Sequence, residues 1–501
     1  MPSQLAFSDR FVQGEVISDL RRMNPWWAGS PAQALPSTRR HLVGSIHRRL
    51  QRKLAPIVVI RGPRQIGKST AQNQVIEDLL TQGVAPTHLF RVQWDDLAEL
   101  SRIGREPILR AVEWYENAVL AQPINAVARA GGQVYLFFDE VQNLRDWDVQ
   151  LKSLVDLTSV QVVVTGSSAL RIEQGRDSLA GRITTIEGAT LSLTEVADFH
   201  AISLGEPALP DNGLDPFIDK PFWRDLVERG QARATVRDEA FRLYSARGGY
   251  PVAHKVPQAP WAQLADQLNE TVIRRVIQHD LRIGERGRKR DPQLLEELFR
   301  LACRYIGQAP DPTTLAREVQ RALAANVGFQ RINHYLRFLG DTLLLRLVDP
   351  LEIRLKRKKG FPKICLADHG LRASWLQEVV PLDPGGLAEN PQLTALAGHI
   401  AESLVGSIFS SIHGLDVAYL PARRDEPEID FVLTVGTRRI PVEVKYQKRI
   451  DPLRDTESLR AFIEKTVNNA PFGLLIVQAD GVYTDDPRIV SLPLSTLMML
   501  R

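Results

Sequence analysis

From Ile57 onward the chain alternates short, wholly apolar runs with amphipathic stretches: IVVI, a helical stretch to Gly83, HLFRVQW, VYLFF and QVVVTG. Runs this short, apolar on both faces and separated by helices predict strands of a parallel sheet covered on both sides. An α/β domain is therefore expected over 46–204, preceded by an N-terminal extension (1–45) that carries Asn24-Pro25-Trp26-Trp27. The stretch GEPALPDNGLDPFIDKP (205–221) is dense in Gly, Pro, Asp and Asn and reads as a loop. Helical periodicity then dominates, as in LLEELFRLACRYIG and INHYLRFLGDTLLLRLV, giving a helical lid over 222–280 and a small helical module over 281–350. A basic linker (351–390) leads to a last domain, 391–501. Its pattern is an apolar helix, the strand-like runs DVAYL, IDFVLTV and RIPVEVKY, a helix and a final run GLLIVQ.

Composition narrows the class without choosing a function. The chain has 501 residues, more than one hydrophobic core usually serves. The hydrophobic share of 44% and the charged share of 24% are those of an ordinary globular protein. No run reaches the length of a membrane span and the N-terminus lacks a signal-peptide pattern, so a cytoplasmic protein with no membrane partner is expected. Cys303 and Cys365 lie outside any zinc-ligand spacing and read as buried thiols. The net charge of +4 permits an anionic partner without requiring one.

The sharpest chemical signal is Gly62-Pro63-Arg64-Gln65-Ile66-Gly67-Lys68-Ser69, followed by Thr70, which fits GxxxxGK[ST] between a strand and a helix. Glycines let backbone N–H groups turn toward a polyphosphate at a helix N-terminus, where the dipole favours negative charge. Lys68 supplies a cation for the outer phosphates and Ser69 a hydroxyl for Mg²⁺. Downstream, VYLFF ends in Asp139-Glu140: Asp139 is expected to hold Mg²⁺ and Glu140 to polarise the attacking water. QVVVTG ends in Thr165-Gly166-Ser167-Ser168, where Ser167 is the candidate γ-phosphate sensor and a plain turn is the alternative.

In the last domain, period-2 alternation along Pro441-Val442-Glu443-Val444-Lys445 sets the valines on one face and Glu443 with Lys445 on the other. Asp430 lies in the preceding apolar run, and the Gly436-Thr437 turn allows the two runs to pair as a hairpin, so Asp430 and Glu443 converge. Two such acids suit Mg²⁺ or Mn²⁺, Lys445 suits a scissile phosphate, and Glu402 on the preceding helix completes the set. Paired surface charges are the structural alternative. Two basic clusters, Arg282 to Arg290 and Arg354 to Lys363, suit a phosphate backbone, with a solvated linker as the alternative. The helix between them offers Arg331, Asn333, His334 and Arg337, and DNA is the expected partner.

Taken together, GPRQIGKS, LFFDEVQNLRDW, VVVTGSSAL, SLAGR with LSLTEVADF, and GGYP (248–251) resemble the prokaryotic AAA-type ATPases that carry a PD-(D/E)xK-like C-terminal domain. The resemblance implies an α/β fold: an AAA-like P-loop ATPase with helical lid, a winged-helix-like module and a C-terminal PD-(D/E)xK nuclease-like domain. It implies ATP and Mg²⁺ as cofactors, with Mn²⁺ as an option at the nuclease-like site. It further implies homo-oligomers whose ATP sites are completed by a neighbour's arginine. Arg182 is the first candidate for that role, with Arg171 and Arg176 behind it and a structural salt bridge as the alternative for each. Thr190-Leu191-Ser192-Leu193 departs from the proline usual in that family. Two functions follow from this: an ATP-driven enzyme acting on DNA with a metal-dependent nuclease, or a nucleotide-switched scaffold whose C-terminal domain binds without cutting.

Overall fold

The computed structural model describes residues 14–30, 34–95, 106–166, 178–209, 213–279, 291–324, 327–353, 356–357, 360–422 and 427–501. Two compact units emerge: Met1–Gly62 with Gly67–Gly188, and Pro63–Ile66 with Ala189–Arg501.

In the first unit, β1 (Ile57–Arg61), β2 (Leu89–Gln93), β3 (Val134–Asp139), β4 (Val160–Gly166) and β5 (Ile183–Glu187) form one sheet in the order β2-β3-β4-β1-β5. All neighbours are parallel. β4 is buried along its whole length, as its unbroken apolar run requires. In a parallel sheet every strand ends at the same edge, so residues following β1, β3 and β4 meet there. The N-terminal segment protects the β2 edge. Asn24 Nδ2 donates to Arg91 O at 2.8 Å, Arg91 N donates to Asn24 Oδ1 at 2.7 Å, and the Trp26 and Trp27 indoles both donate to Leu89 O. One amide side chain thus substitutes for a missing strand.

The division falls between Gly188 and Ala189, inside the span 46–204 read from the sequence. The reason lies in the helix Leu193–Phe199, whose Leu193, Val196 and Ala197 are buried in the second unit's core. The unusual Thr190–Leu193 segment has a local logic. Ser192 caps that helix by accepting from Glu195 N, and Ser192 N donates to Glu195 Oε2 at 3.0 Å, a complete capping box.

Among its described residues the second unit is helical from Leu193 to Asp341 and mixed thereafter. The helices Pro292–Arg304, Pro312–Leu323 and Phe329–Asp341 are followed by β6 (Leu345–Val348), a hairpin of β7 (Glu352–Ile353) with β8 (Lys356–Arg357), and β9 (Lys363–Leu366), which pairs antiparallel with β6. The GGYP motif is structural. Gly249 N and Gly370 N donate to the two oxygens of the buried Asp368, and a Cβ on Gly248, at φ +74°, would collide with that carboxylate. The last sheet runs β10 (Asp416–Leu420), β11 (Ile429–Val435), β12 (Arg438–Lys445), β13 (Gly473–Val477), β14 (Ile489–Pro493), antiparallel at its first two junctions and parallel at the others. The segment Pro391–Ser410 is long and apolar enough to cross a membrane, yet Ala397, Ile400, Ala401, Leu404 and Val405 are buried in the core of this unit. A core helix passes the same length and composition test. Both cysteines are free and buried, and burial pushes their thiols upward, Cys365 to about 12.

Candidate functional site

The first candidate site lies at the C-terminal edge of the parallel sheet. β1 delivers Gly62, and Gly67, left-handed at φ +89°, opens the helix Lys68–Thr81 with no side-chain cap. Gln65 is also left-handed, at φ +62°. The first N–H groups of that helix have no acceptor within it, which is the condition for holding an anion. Lys68 is buried and its ammonium donates to Gly62 O at 3.0 Å, so the cation is held across the mouth of the loop. Ser69 and Thr70 stand in the first helical turn, half-buried. Pro63, Arg64, Gln65 and Ile66 form the loop itself, and Ile66 packs into the core of the second unit.

Asp139 closes β3 and is 1% exposed. Its Oδ1 accepts from the Thr165 hydroxyl, and its Oδ2 lies 3.5 Å from the Arg91 guanidinium. Glu140 follows in a left-handed conformation at φ +56°, its N–H donating to Thr165 Oγ1 at 3.3 Å and its carboxylate accepting from Gln142. A non-glycine residue in that region is strained, and such strain clusters where a side chain must be aimed. Gln72 spans helix and sheet by donating to Phe138 O and Val163 O, both at 3.4 Å. Ser69 lies one turn before Gln72 on the same helix face.

This set fits Mg-nucleotide. A cation and uncapped N–H groups are what phosphates require, while the Ser69 hydroxyl and the Asp139 carboxylate are oxygen donors of the kind Mg²⁺ takes. Two contributors, Arg91 and Gln72, escaped the sequence reading, and a third, Thr165, was named there only as part of the polar cluster at the end of β4. Thr165 touches Asp139; the sensor candidate Ser167 lies outside the described residues, as do Arg171 and Arg176. Arg91 and Gln72 were hidden inside ordinary strand and helix patterns, and the only signal for Arg91 was a lone charge within the apolar run HLFRVQW.

Arg182 sits at the other edge of the sheet. Its carbonyl accepts from Ile57 N at the start of β1, and its guanidinium grips Asp156 through two bonds, Nε–Oδ1 at 2.6 Å and Nη2–Oδ2 at 2.9 Å. That pairing lowers the Asp156 carboxyl and raises the guanidinium. Arg182 therefore does not reach its own chain's phosphate loop.

The C-terminal acids do come together. The register Phe431↔Val442 sets Asp430 opposite Glu443, and Asp430 Oδ2 accepts from Val444 N at 2.8 Å. Lys445 Nζ donates to Glu443 Oε1 at 2.6 Å. Burial, reinforced by the charge of Asp430 and opposed by Lys445, pushes Glu443 up to about 8. Glu402, on the helix Thr394–Ser410, is likewise raised by burial and by Asp430. One member of the cluster was misread. Lys363, assigned to the basic run as a DNA contact, is 1% exposed and donates to Glu402, with Asp430 Oδ1 at 3.4 Å and Glu428 Oε1 at 3.5 Å. Among the described residues no group of three His, Cys, Asp or Glu is arranged to hold a metal ion. Between Glu402 and Asp430 stands the Lys363 ammonium, so a divalent cation held by those two acids would have to displace it. Of the other basic positions, Lys356 and Arg357 lie on β8, while residues 282–290, Arg354, Lys358 and Lys359 lie outside the described residues.

Comparison with known proteins bears on the first site. Residues 54–197 match a family model described as an AAA domain, while 238–380 and 397–497 match domains of unknown function, DUF8612 and DUF4143. An uncharacterized protein of Methanocaldococcus jannaschii is 23% identical over 49% of this chain and 47% of its own length, so the match spans about half of that relative. Uncharacterized proteins of Mycobacterium bovis and Mycobacterium tuberculosis are each 23% identical over 81% of this chain and 74% of theirs. Among solved structures, the Walker-type ATPase PABY2304 of Pyrococcus abyssi aligns at 14% identity and a TM-score of 0.37, over 69% of this chain and 99% of that one. The RuvB Holliday junction branch migration motor of Thermotoga maritima aligns at 12% and 0.27, over 74% and 97%. With the phosphate loop, Asp139-Glu140 and the parallel sheet in place, the AAA-domain match makes the segment 54–197 a P-loop ATPase domain of the AAA type, a class that works on nucleotide with Mg²⁺.

Proposed function

We propose that the chain is an ATP-driven switch acting on DNA, whose C-terminal domain binds its target without cutting it. The observation that carries the reading is the meeting of Lys68, Ser69, Asp139, Glu140 and Thr165 at one sheet edge. Lys68 holds the outer phosphates, Ser69 and Asp139 hold Mg²⁺, and the Glu140 carboxylate orients a water and accepts its proton. Bound Mg²⁺ supplies positive charge to the phosphate oxygens.

DNA as target is supported by the helix Phe329–Asp341, where Ile332, Tyr335, Leu336 and Leu339 are buried while Gln330, Arg331, His334 and Arg337 are exposed along the opposite face. Three helices followed by a hairpin between two paired strands are consistent with a winged-helix-like reader. Self-association, with Arg182 donated to a neighbour, belongs to the same proposal.

A second reading, metal-dependent phosphodiester cleavage by Asp430, Glu443, Lys445 and Glu402, is favoured by the convergence of those side chains. Incubating pure protein with supercoiled plasmid, ATP and either Mg²⁺ or Mn²⁺ separates the two. ATP turnover with intact, salt-sensitively bound plasmid is expected. Nicking abolished by Asp430→Ala would replace the first reading with the second, and absence of turnover would sink both.

A further inference from the structure

Lys363 opens β9, in the segment ahead of the C-terminal domain, and reaches into that domain's acid cluster. Its ammonium donates to Glu402, lies 3.4 Å from Asp430 and 3.5 Å from Glu428, and rests over the rings of Phe431 at 5.1 Å and Tyr419 at 5.3 Å. A buried ammonium persists only where carboxylates and ring faces replace its hydration. Here both are present. Burial would lower the ammonium's affinity for its proton, but the combined charges of Asp430, Glu402 and Glu428 outweigh it and keep Lys363 protonated.

Divalent cations need several carboxylate oxygens converging at about 2.0–2.6 Å. In this cluster the space between Glu402 and Asp430 is taken by Lys363 Nζ, and the remaining acid, Glu443, has its Oε1 engaged by Lys445. Two cations within a few ångströms in a water-poor site repel strongly. We propose that Lys363 is the resident cation of the C-terminal carboxylate cluster, standing in the place a divalent metal would otherwise take, so that the domain is organised around a permanent internal salt cluster. The inference rests on the reading of this domain as a module that binds without cutting, and it is independent of the ATPase site.

The test counts Mn²⁺ by electron paramagnetic resonance in the nucleotide-free full chain. Wild type and Asp430→Asn are expected to bind the same number of ions. An ion bound by wild type and lost in Asp430→Asn would overturn the proposal. Lys363→Met, close in shape but uncharged, is expected to gain one Mn²⁺ at least tenfold tighter than any held by wild type, lost again when Asp430→Asn is added. A folded Lys363→Met chain that takes up no ion would equally overturn it. Should Lys363→Met fail to fold, wild type against Glu402→Gln decides in the same sense: an unchanged count upholds the proposal and a lost ion refutes it. Plasmid cleavage with an unchanged count would remove the non-cutting reading while leaving Lys363 as resident cation.

Discussion

Asp139 and Asp430 are both acids set in apolar strands, and the fold gives each a different set of polar neighbours. Around Asp139 the immediate donor is a neutral hydroxyl, Thr165, with a guanidinium at 3.5 Å, and the cation Lys68 is engaged with a carbonyl across the phosphate loop. Around Asp430 and Glu402 a buried ammonium is inserted directly. On the proposed reading the first arrangement offers a carboxylate and a hydroxyl to Mg²⁺, whereas the second is occupied by a cation of the chain itself. A strand-borne acid on that reading thus serves a ligand site in one place and a salt cluster in the other, and the difference is where the cation sits.

The comparison breaks most readily at the first site. Lys68→Ala is expected to lower ATP binding and turnover by at least about 100-fold, because a charge at the outer phosphates is removed. Glu140→Gln should keep binding within a few-fold while turnover falls by about 10²–10³, since only the water-orienting group is lost. Calorimetric titration and phosphate release distinguish these outcomes, and full turnover in both variants would refute the roles assigned here.

At the second site the expected loss is in stability. Asp430→Asn leaves Lys363 buried with one partner fewer, and removing one member of a buried ion cluster costs about 3 kcal/mol. Urea unfolding of this variant should show that loss while ATP turnover per folded molecule stays within about twofold, since no atom of the nucleotide site is touched. Unchanged stability would mean that Lys363 does not depend on Asp430.

Thr165→Val tests a smaller contact. The substitution strips Asp139 Oδ1 of its donor and Glu140 N–H of its acceptor, so a buried acid and a strained backbone lose their shared support. An unsatisfied buried group costs about 2 kcal/mol, and turnover should drop roughly tenfold as Asp139 and Glu140 lose their aim. Wild-type kinetics in Thr165→Val would remove Thr165 from the site.

These differences also show what a sequence can and cannot reveal. The phosphate loop was legible because its glycines, lysine and serine are contiguous and their spacing is dictated by backbone geometry. The hairpin carrying Asp430 and Glu443 was legible because period-2 alternation fixes which side chains share a face. Lys363 was not, because a lysine at the end of RLKRKKGFPK looks like its solvated neighbours. Only the tertiary fold, which makes KICL a fully buried strand, separates it from them. Thr165 was harder to single out: it is one of several hydroxyls in the run Thr165-Gly166-Ser167-Ser168, and its meeting with Asp139 depends on how β4 is registered against β3. Arg182 could be named by type and position in the chain, but its bidentate pairing with Asp156, 26 residues upstream, could not, because only the fold brings the start of β5 beside that carboxylate.

The smallest expected effect is a pH dependence that belongs to the salt cluster alone. Glu443 is raised from an ordinary carboxylate value of 4.5 to about 8, first by burial and then by the charge of Asp430, with Lys445 opposing. The folded chain therefore holds this proton more tightly than the unfolded chain, and the associated stability is complete below about pH 4.5 and is lost as pH rises through 8. Lys445 is itself raised above its ordinary value by Glu443 despite burial, so it keeps its charge across that window. Glu443→Gln cannot titrate there. Between pH 7 and pH 9 wild type should lose about 1 kcal/mol relative to Glu443→Gln in urea unfolding, the amount by which a group of that pKa shift becomes ionised. Parallel pH profiles for the two proteins would show that Glu443 is already ionised in the folded chain, and with it that the cluster holds more negative charge than its two lysines are placed to offset.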